Sequence, residues 1–496
     1  MDQNQTPLLT ALKQAAETPG AAFYTPGHRR GQGIPESLAA VFGSQVFRAD
    51  LPELPELDNL FAPEGVIKQA QELAAAAFGS DLCRFLVNGS TVGIIASILA
   101  TCDPEDKILL PRNIHKSVIS GLVMSGARAI FINPEYDQDW HFPLSLTPKA
   151  IAKALEQHPD IKAVMVVYPT YHGICGNLAA IATIVHNHNI PLLVDEAHGG
   201  HFHFHQQLPP SALQWGADLT VQSTHKVLGA MNQASMVHIK GDRINLTRLD
   251  NALQMLQTTS PSYLLLASLD AARHQIVNHG QKRLTEALKL AQRAKTQLEN
   301  LPGLRVYHPP LTAGCVALDP TRLTVEVSHC GLSGYEADTI LHQQFGVTAE
   351  LPDLQHLTMI ISPANSQADI DQMIKGFAFL SQKALSGASQ NPPTQNQHHW
   401  QMIDTISPFE TAIAEVSAMS VRDAFFAKTI SLPTPDCPGQ ISAECVCPYP
   451  PGVPILWPGE AISKKAIAFL QQVKALGGEI TGSSDKTLAT LRVIDH

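Results

Sequence analysis

The sequence is poor in charge. Aspartate, glutamate, lysine and arginine make up 16% of its 496 residues, against a usual share of about 25%. So few charges exclude a disordered, self-repelling chain, and a formal net charge of −10 excludes a general binder of polyanions such as nucleic acids. Long apolar runs are missing too, and none approaches the roughly 20 residues that a membrane helix needs. The eight cysteines are scattered and form no dense framework. Cys445 and Cys447 stand too close together for zinc-finger spacing, and no metal site is expected. The opening residues Met1 to Gln5 lack the basic and apolar regions of a secretory leader. These absences lead to the expectation of a cytoplasmic protein with reduced thiols, bound to no membrane and no nucleic acid. What is plentiful is apolar material, 44% of the residues, enough for large cores and a subunit interface. The length suggests about three domains.

The first sixty residues hold a short helix-like stretch. They continue into Phe23-Tyr24-Thr25-Pro26-Gly27-His28-Arg29-Arg30-Gly31-Gln32-Gly33, too rich in proline and glycine for a regular element. A helix is predicted from residue 64, where Pro63 suits the first turn and Val66, Ile67, Ala70, Leu73, Ala74 and Ala77 share one face. Phe85-Leu86-Val87 reads as a strand, followed by a Gly-Ser-Thr turn and an apolar helix from Val92. Further β-type runs are Lys107 to Leu110, Ala129 to Ile132, Ala163 to Val167, Pro191 to Val194 and Leu219 to Gln222. Short apolar runs spaced by helices or loops describe a mainly parallel sheet covered on both faces. A long helix is expected over 281–300 and a polar, proline-punctuated linker around 386–397. The organisation expected is an N-terminal arm (1–60), a large domain (61–300), a small α/β domain (301–382), a linker (383–400) and a C-terminal domain (401–496).

Two strand endings carry the chemistry. Asp195 closes the run before Glu196-Ala197-His198, and Lys226 ends Ser223-Thr224-His225-Lys226 just past the next strand. An acid and a lysine in this order are what a pyridoxal 5′-phosphate (PLP) site needs. The amine holds the cofactor aldehyde as a Schiff base, and the carboxylate keeps the ring nitrogen protonated. A carboxylate about 4 Å from a pyridinium is worth roughly 4 kcal/mol at an effective dielectric of about 20, enough to hold that proton at neutral pH. In open parallel sheets the ligand sits beyond the carboxyl ends of the strands, where two further segments fall. Asn88-Gly89-Ser90-Thr91 brings hydroxyls and backbone N–H groups to a helix start, a setting that favours phosphate. Tyr168-Pro169-Thr170 could aim Thr170 at the ring hydroxyl, and His115, after the strand ending at Leu110, offers a flat ring for stacking. Asp195-Glu196-Ala197-His198 also spells a helicase Walker B tetrapeptide, but no Gly-x4-Gly-Lys-Ser/Thr loop accompanies it. His201, His203 and His205, if extended, point one way without an acidic partner, and a metal there is not expected.

Taken together the segments resemble the Orn/Lys/Arg decarboxylase family, PLP enzymes of the aspartate-aminotransferase fold (fold type I). The motifs are Tyr24-Thr25-Pro26-Gly27-His28-Arg29-Arg30-Gly31, Asp50-Leu51-Pro52-Glu53-Leu54-Pro55, Ala62-Pro63-Glu64-Gly65, His115-Lys116-Ser117, Asp195-Glu196-Ala197-His198-Gly199-Gly200, Ser223-Thr224-His225-Lys226, Gln257-Thr258-Thr259-Ser260-Pro261-Ser262-Tyr263 and Pro448-Tyr449-Pro450-Pro451-Gly452-Val453-Pro454. The length matches the short form without an N-terminal wing domain. The resemblance implies an α/β fold with a mainly parallel central sheet, a small α/β domain and an additional C-terminal domain. It also implies PLP-dependent decarboxylation of lysine, arginine or ornithine.

By the same resemblance Lys226 binds the cofactor, Asp195 the ring nitrogen, and His115 stacks on the ring. His198 stands near the ring where long forms tend to have Trp, and His172 stands where they tend to have Asp. Ser90, Thr91, Ser223 and His225 hold the phosphate, with Thr259 or Ser260 reaching it from a partner subunit, so a homodimer or larger assembly is implied. Glu444 is the leading acid for the substrate's distal cation, ahead of Glu53 and Glu56. The rival on the same scaffold is an aminotransferase, with Arg322 as carboxylate clamp; a non-catalytic PLP-binding regulator is a further one.

Overall fold

The computed structural model describes residues 1–387, 413–414 and 419–495. Most of the expected linker, and the start of the expected C-terminal domain, lie outside the described residues. Along the chain run helices α1 (Pro7–Glu17) and α2 (Val66–Phe78), strand β1 (Leu82–Leu86), helix α3 (Gly89–Thr101) and strands β2 (Lys107–Pro111), β3 (Arg128–Ile132) and β4 (Ile161–Val167). Strands β5 (Leu192–Asp195), β6 (Leu219–Gln222) and β7 (Ser235–Ile239) follow, then helix α4 (Tyr263–Glu299). Next come β8 (Arg305–Val306), β9 (Arg322–Glu326), β10 (Leu351–Pro352) and β11 (His356–Ile360). The chain forms two compact units, one of Met1–Thr101 with Pro191–Arg283, the other of Cys102–Ile190 with Leu284–His496.

In the first unit β5 and β6 pair in parallel, and Asp195 lies opposite Val221. That register brings the chain leaving β6 through Ser223 out at the edge where Asp195 ends β5. All residues of both strands are buried, as expected of strands covered on both faces. β7 pairs antiparallel with β6 and with β1, so the sheet is mixed here. Helix α3 lies against it: a Cβ on Gly93 would come within 2.7–2.9 Å of Val221, Leu86 and Val237. Only glycine allows that approach. Helix α2 starts at Val66, with Gly65 rather than Pro63 at its cap. Its orphan donors are met from a distance, because Asp58 Oδ2 accepts the N–H groups of Gly65 (2.8 Å) and Ile67 (3.0 Å). Those bonds hold the Asp58 carboxyl below its usual range, although burial pushes the other way.

The second unit has parallel β2–β3 and β2–β4 pairs and an antiparallel sheet in the order β8-β9-β11-β10. Leu323, Val325, Leu341, Leu357 and Phe377 fill a core under that smaller sheet. A separate core of Val446, Leu456, Leu470, Val473 and Leu491 forms in the C-terminal part.

The long helix differs from its expected start at 281: α4 begins at Tyr263 and spans 37 residues. Gly280 masks its continuity in sequence. In the structure a Cβ there would meet Ile276 at 2.9 Å and Phe204 at 3.6 Å, so the glycine marks a close approach inside the helix. Replacing Gly93 by Val should cost about 1–3 kcal/mol through overpacking, read as a lower thermal midpoint; an unchanged midpoint would contradict the packing of α3 on the sheet.

Candidate active site

Lys226 lies in the first unit, in a single helical turn (Thr224–Val227) directly after β6. Its Nζ stands 3.0 Å from His198 Nε2. A lysine has only donors to offer, so His198 Nε2 accepts. Asp195 is 8% exposed and its Oδ1 accepts the Ala197 N–H at 3.1 Å. Burial pushes the Asp195 carboxyl up, while the charge of Lys226 and the Ala197 bond pull it down by less. Asp195 is thus a buried acid short of positive charge.

Ser223 and Ser90 meet on the same edge, with Ser223 Oγ donating to Ser90 Oγ at 2.7 Å. Ser90 and exposed Thr91 open α3, a 13-residue helix with no acid in its first turn. Gly89 precedes them with φ +76°, and a Cβ there would meet nothing within 4 Å. His225 Nδ1–H donates to the Ala234 carbonyl at 3.1 Å, which fixes the tautomer and leaves Nε2 as the second ring nitrogen. Burial, more than the nearby Lys226, lowers the His225 pKa against that bond. Ser260 is exposed, with its N–H on Thr258 Oγ1. The first unit therefore brings Asp195, His198 and Lys226 together and sets Ser90 against Ser223.

His115, Thr170 and Glu444 belong to the second unit. His115 Nδ1 accepts the Ser117 N–H at 3.2 Å, and a Cβ on Gly452 would lie 3.7 Å from its ring. The proline-rich segment is thus packed beside His115. Thr170 is buried, and its Oγ1 accepts the Ile174 N–H at 3.2 Å. Glu444 is buried with both oxygens on backbone N–H groups from further along the chain: Oε1 accepts from Ser484 N (2.7 Å) and Oε2 from Arg492 N (3.0 Å). In this structure it braces its own segment. Arg322, weighed as a carboxylate clamp, has no exposed side-chain surface (0%) and lies 3.7 Å from Asp319. The His201–His205 segment is not extended, because Phe202–Phe204 form a 3-10 turn. Among the described residues no group of three or more His, Cys, Asp or Glu is arranged to hold a metal ion, and no helix is long and apolar enough to cross a membrane.

The Orn/Lys/Arg decarboxylase major-domain pattern matches residues 6–369, and the C-terminal-domain pattern of the same family matches 409–487. The arginine decarboxylase of Bacillus subtilis is 38% identical over 498 residues, spanning 100% of this chain and 99% of that one. The chain belongs to the Orn/Lys/Arg decarboxylase family. With that membership goes decarboxylation of a basic amino acid. Lysine decarboxylase A from Pseudomonas aeruginosa superposes with a TM-score of 0.82 at 21% identity, over 99% of this chain and 80% of that one. A ureidoglycine-glyoxylate aminotransferase from Bacillus subtilis shares the fold more distantly, with TM-score 0.51 and 15% identity over 68% of this chain and 88% of that one. The fold is thus that of fold type I PLP enzymes, and the family implies PLP as cofactor.

The residues of the first unit fit that group. A buried carboxylate lacking positive charge suits a protonated ring nitrogen, and an acid-free helix start with two serines suits a phosphate.

Glu196, beside Asp195, is a different kind of acid. It is 0% exposed, accepts from Ala212 N (2.7 Å) and Gln222 Nε2 (2.8 Å), and burial pushes its pKa from 4.5 up to about 8 against those two bonds. A folded pKa above the unfolded one means that this stabilising contribution is complete below pH 4.5. It is lost as pH rises towards 8. Inside that window the slope from one group is at most about 1.4 kcal/mol per pH unit. Glu196→Gln should flatten the decline in stability measured by urea unfolding between those limits; an unchanged slope would contradict the assignment.

Proposed function

We propose that this chain is an arginine decarboxylase that uses PLP held on Lys226, releasing CO₂ and agmatine. The observation carrying the choice of arginine is the likeness to the Bacillus subtilis arginine decarboxylase, 38% identical from end to end. The lysine decarboxylase LdcA of Pseudomonas aeruginosa is only 23% identical. The buried state of Arg322 favours decarboxylation over transamination, because a carboxylate clamp must present its guanidinium to a ligand.

In this reading Ser90, Thr91, Ser223 and His225 hold the phosphate, assisted by the N–H groups at the start of α3. Asp195 holds a proton on the ring nitrogen, His115 stacks on the ring, Thr170 meets the ring hydroxyl and His198 borders the site. When bound, PLP supplies an aldehyde for the substrate amine and a protonated ring that takes up the electron pair left by CO₂. A lysine amine is nucleophilic only without its extra proton, and His198 Nε2, 3.0 Å from Nζ, is placed to receive that proton from Lys226. Burial of Asp195 and His198 keeps competing water away from the acid and the amine. Ser260, exposed on its own chain, reaches the phosphate of a partner subunit, so the working form is a homodimer or larger assembly in the cytoplasm. The linker (383–400) and a C-terminal domain from residue 401 complete the domain reading.

Purified protein with PLP should release CO₂ and agmatine from arginine faster than the corresponding products from lysine or ornithine, and Lys226→Ala should reduce release to background. A visible cofactor absorbance band without CO₂ from any of the three would contradict decarboxylation and leave transamination leading.

A further inference from the structure

The second unit contains a cavity of about 160 Å³. That is room for a small organic cation. Its walls are largely apolar, among them Phe142, Pro448, Pro451, Val453 and Val473, and Thr170 is part of the lining. One acid lines it, Asp353, in the turn between β10 and β11. Among the described residues no lysine or arginine lines it.

Asp353 is held from behind. Its Oδ1 accepts the N–H groups of Gln355 (2.8 Å) and His356 (2.6 Å), and His356 Nδ1 donates at 3.0 Å to Oδ1 and 3.2 Å to Oδ2. The backbone bonds all fall on one oxygen, and Oδ2 carries only the long bond to His356. On its other side stands His172, whose buried Nε2 is 3.8 Å from Oδ2 and has no hydrogen-bond partner. Both rings are locked in place: His172 stacks on Phe142 at 4.1 Å, and His356 on Trp140 at 5.3 Å. The Asp353 side chain keeps 28% of its surface exposed. Burial would push the Asp353 carboxyl up, but the charge of His356 and the two histidine contacts outweigh it and hold the acid ionised. Burial keeps His172 neutral despite Asp353.

A rigid carboxylate with an under-used oxygen, beside an unpartnered ring nitrogen and facing an apolar cavity, asks for a cation with several N–H donors on an aliphatic stem. We propose that this cavity binds such a cation, an alkylguanidinium, through Asp353 and His172. Phe142 and Val453 cover the stem. Glu444 then keeps its bracing role.

The probe is n-butylguanidine, which has no amino acid head and therefore cannot replace Lys226 on the cofactor. Its neutral counterpart is n-butylurea. In calorimetric titration of the PLP-loaded protein, n-butylguanidine should bind at least roughly tenfold tighter than n-butylurea. Asp353→Asn should erase that preference and weaken n-butylguanidine binding by roughly 10- to 100-fold; Asp353→Glu should restore part of it. Val453→Phe, which fills the cavity without touching the acid, should block the probe even where Asp353→Asn fails to fold. Equal binding of the two probes, or loss of the charge preference in Glu444→Gln but not Asp353→Asn, would overturn the proposal.

Discussion

A carboxylate shut away from water must either find positive charge or give up its own. Asp195 sits at the end of a strand whose residues are all buried, and the parallel register with β6 decides what it faces. Because Asp195 lies opposite Val221, the segment from Ser223 to Lys226 leaves the sheet at the same edge. Lys226 supplies part of the missing charge, and a protonated cofactor ring would supply the rest. The placement of the serines, of His198 and of the start of α3 follows from that edge.

Three acids show how neighbours set the fate of one functional group. Glu196 has hydrogen bonds but no cation, and burial raises its pKa to about 8. Asp195 has a lysine and is raised, with Lys226 opposing. Asp353 has two histidines around it and stays ionised. In a chain with only 16% charged residues, a buried acid without a local structural task is a strong pointer to function. Glu444 is the contrasting case, since backbone N–H groups occupy both of its oxygens.

The sheet was legible because its strands are short, apolar and spaced. The runs expected at Lys107, Ala129, Ala163, Pro191 and Leu219 each coincide with a strand to within two residues. Strand β7 has no counterpart among the expected runs: Ser235–Ile239 carries polar Ser235 and His238 among its five residues, and local pattern does not give the direction of its antiparallel pairing with β6. The pairing of Lys226 with His198 and the meeting of Ser90 with Ser223 follow from sites chosen in sequence. The Asp353–His172–His356 cluster was invisible there. Its members come from separate segments that only tertiary packing unites, and only the proximity of Asp353 to His356 along the chain hinted at it. Glu444 illustrates the converse, since sequence shows an acid near the proline-rich run but not that its oxygens turn to Ser484 and Arg492.

The most direct test of the site is chemical. The PLP-loaded protein is reduced with borohydride, digested, and mapped by mass spectrometry for the pyridoxyl adduct. One adduct on the peptide carrying Lys226, absent in the unreduced sample, is the expected result. An adduct on another lysine, with Lys226 unmodified, would contradict the assignment of the cofactor to the edge where Asp195 and Ser223 meet.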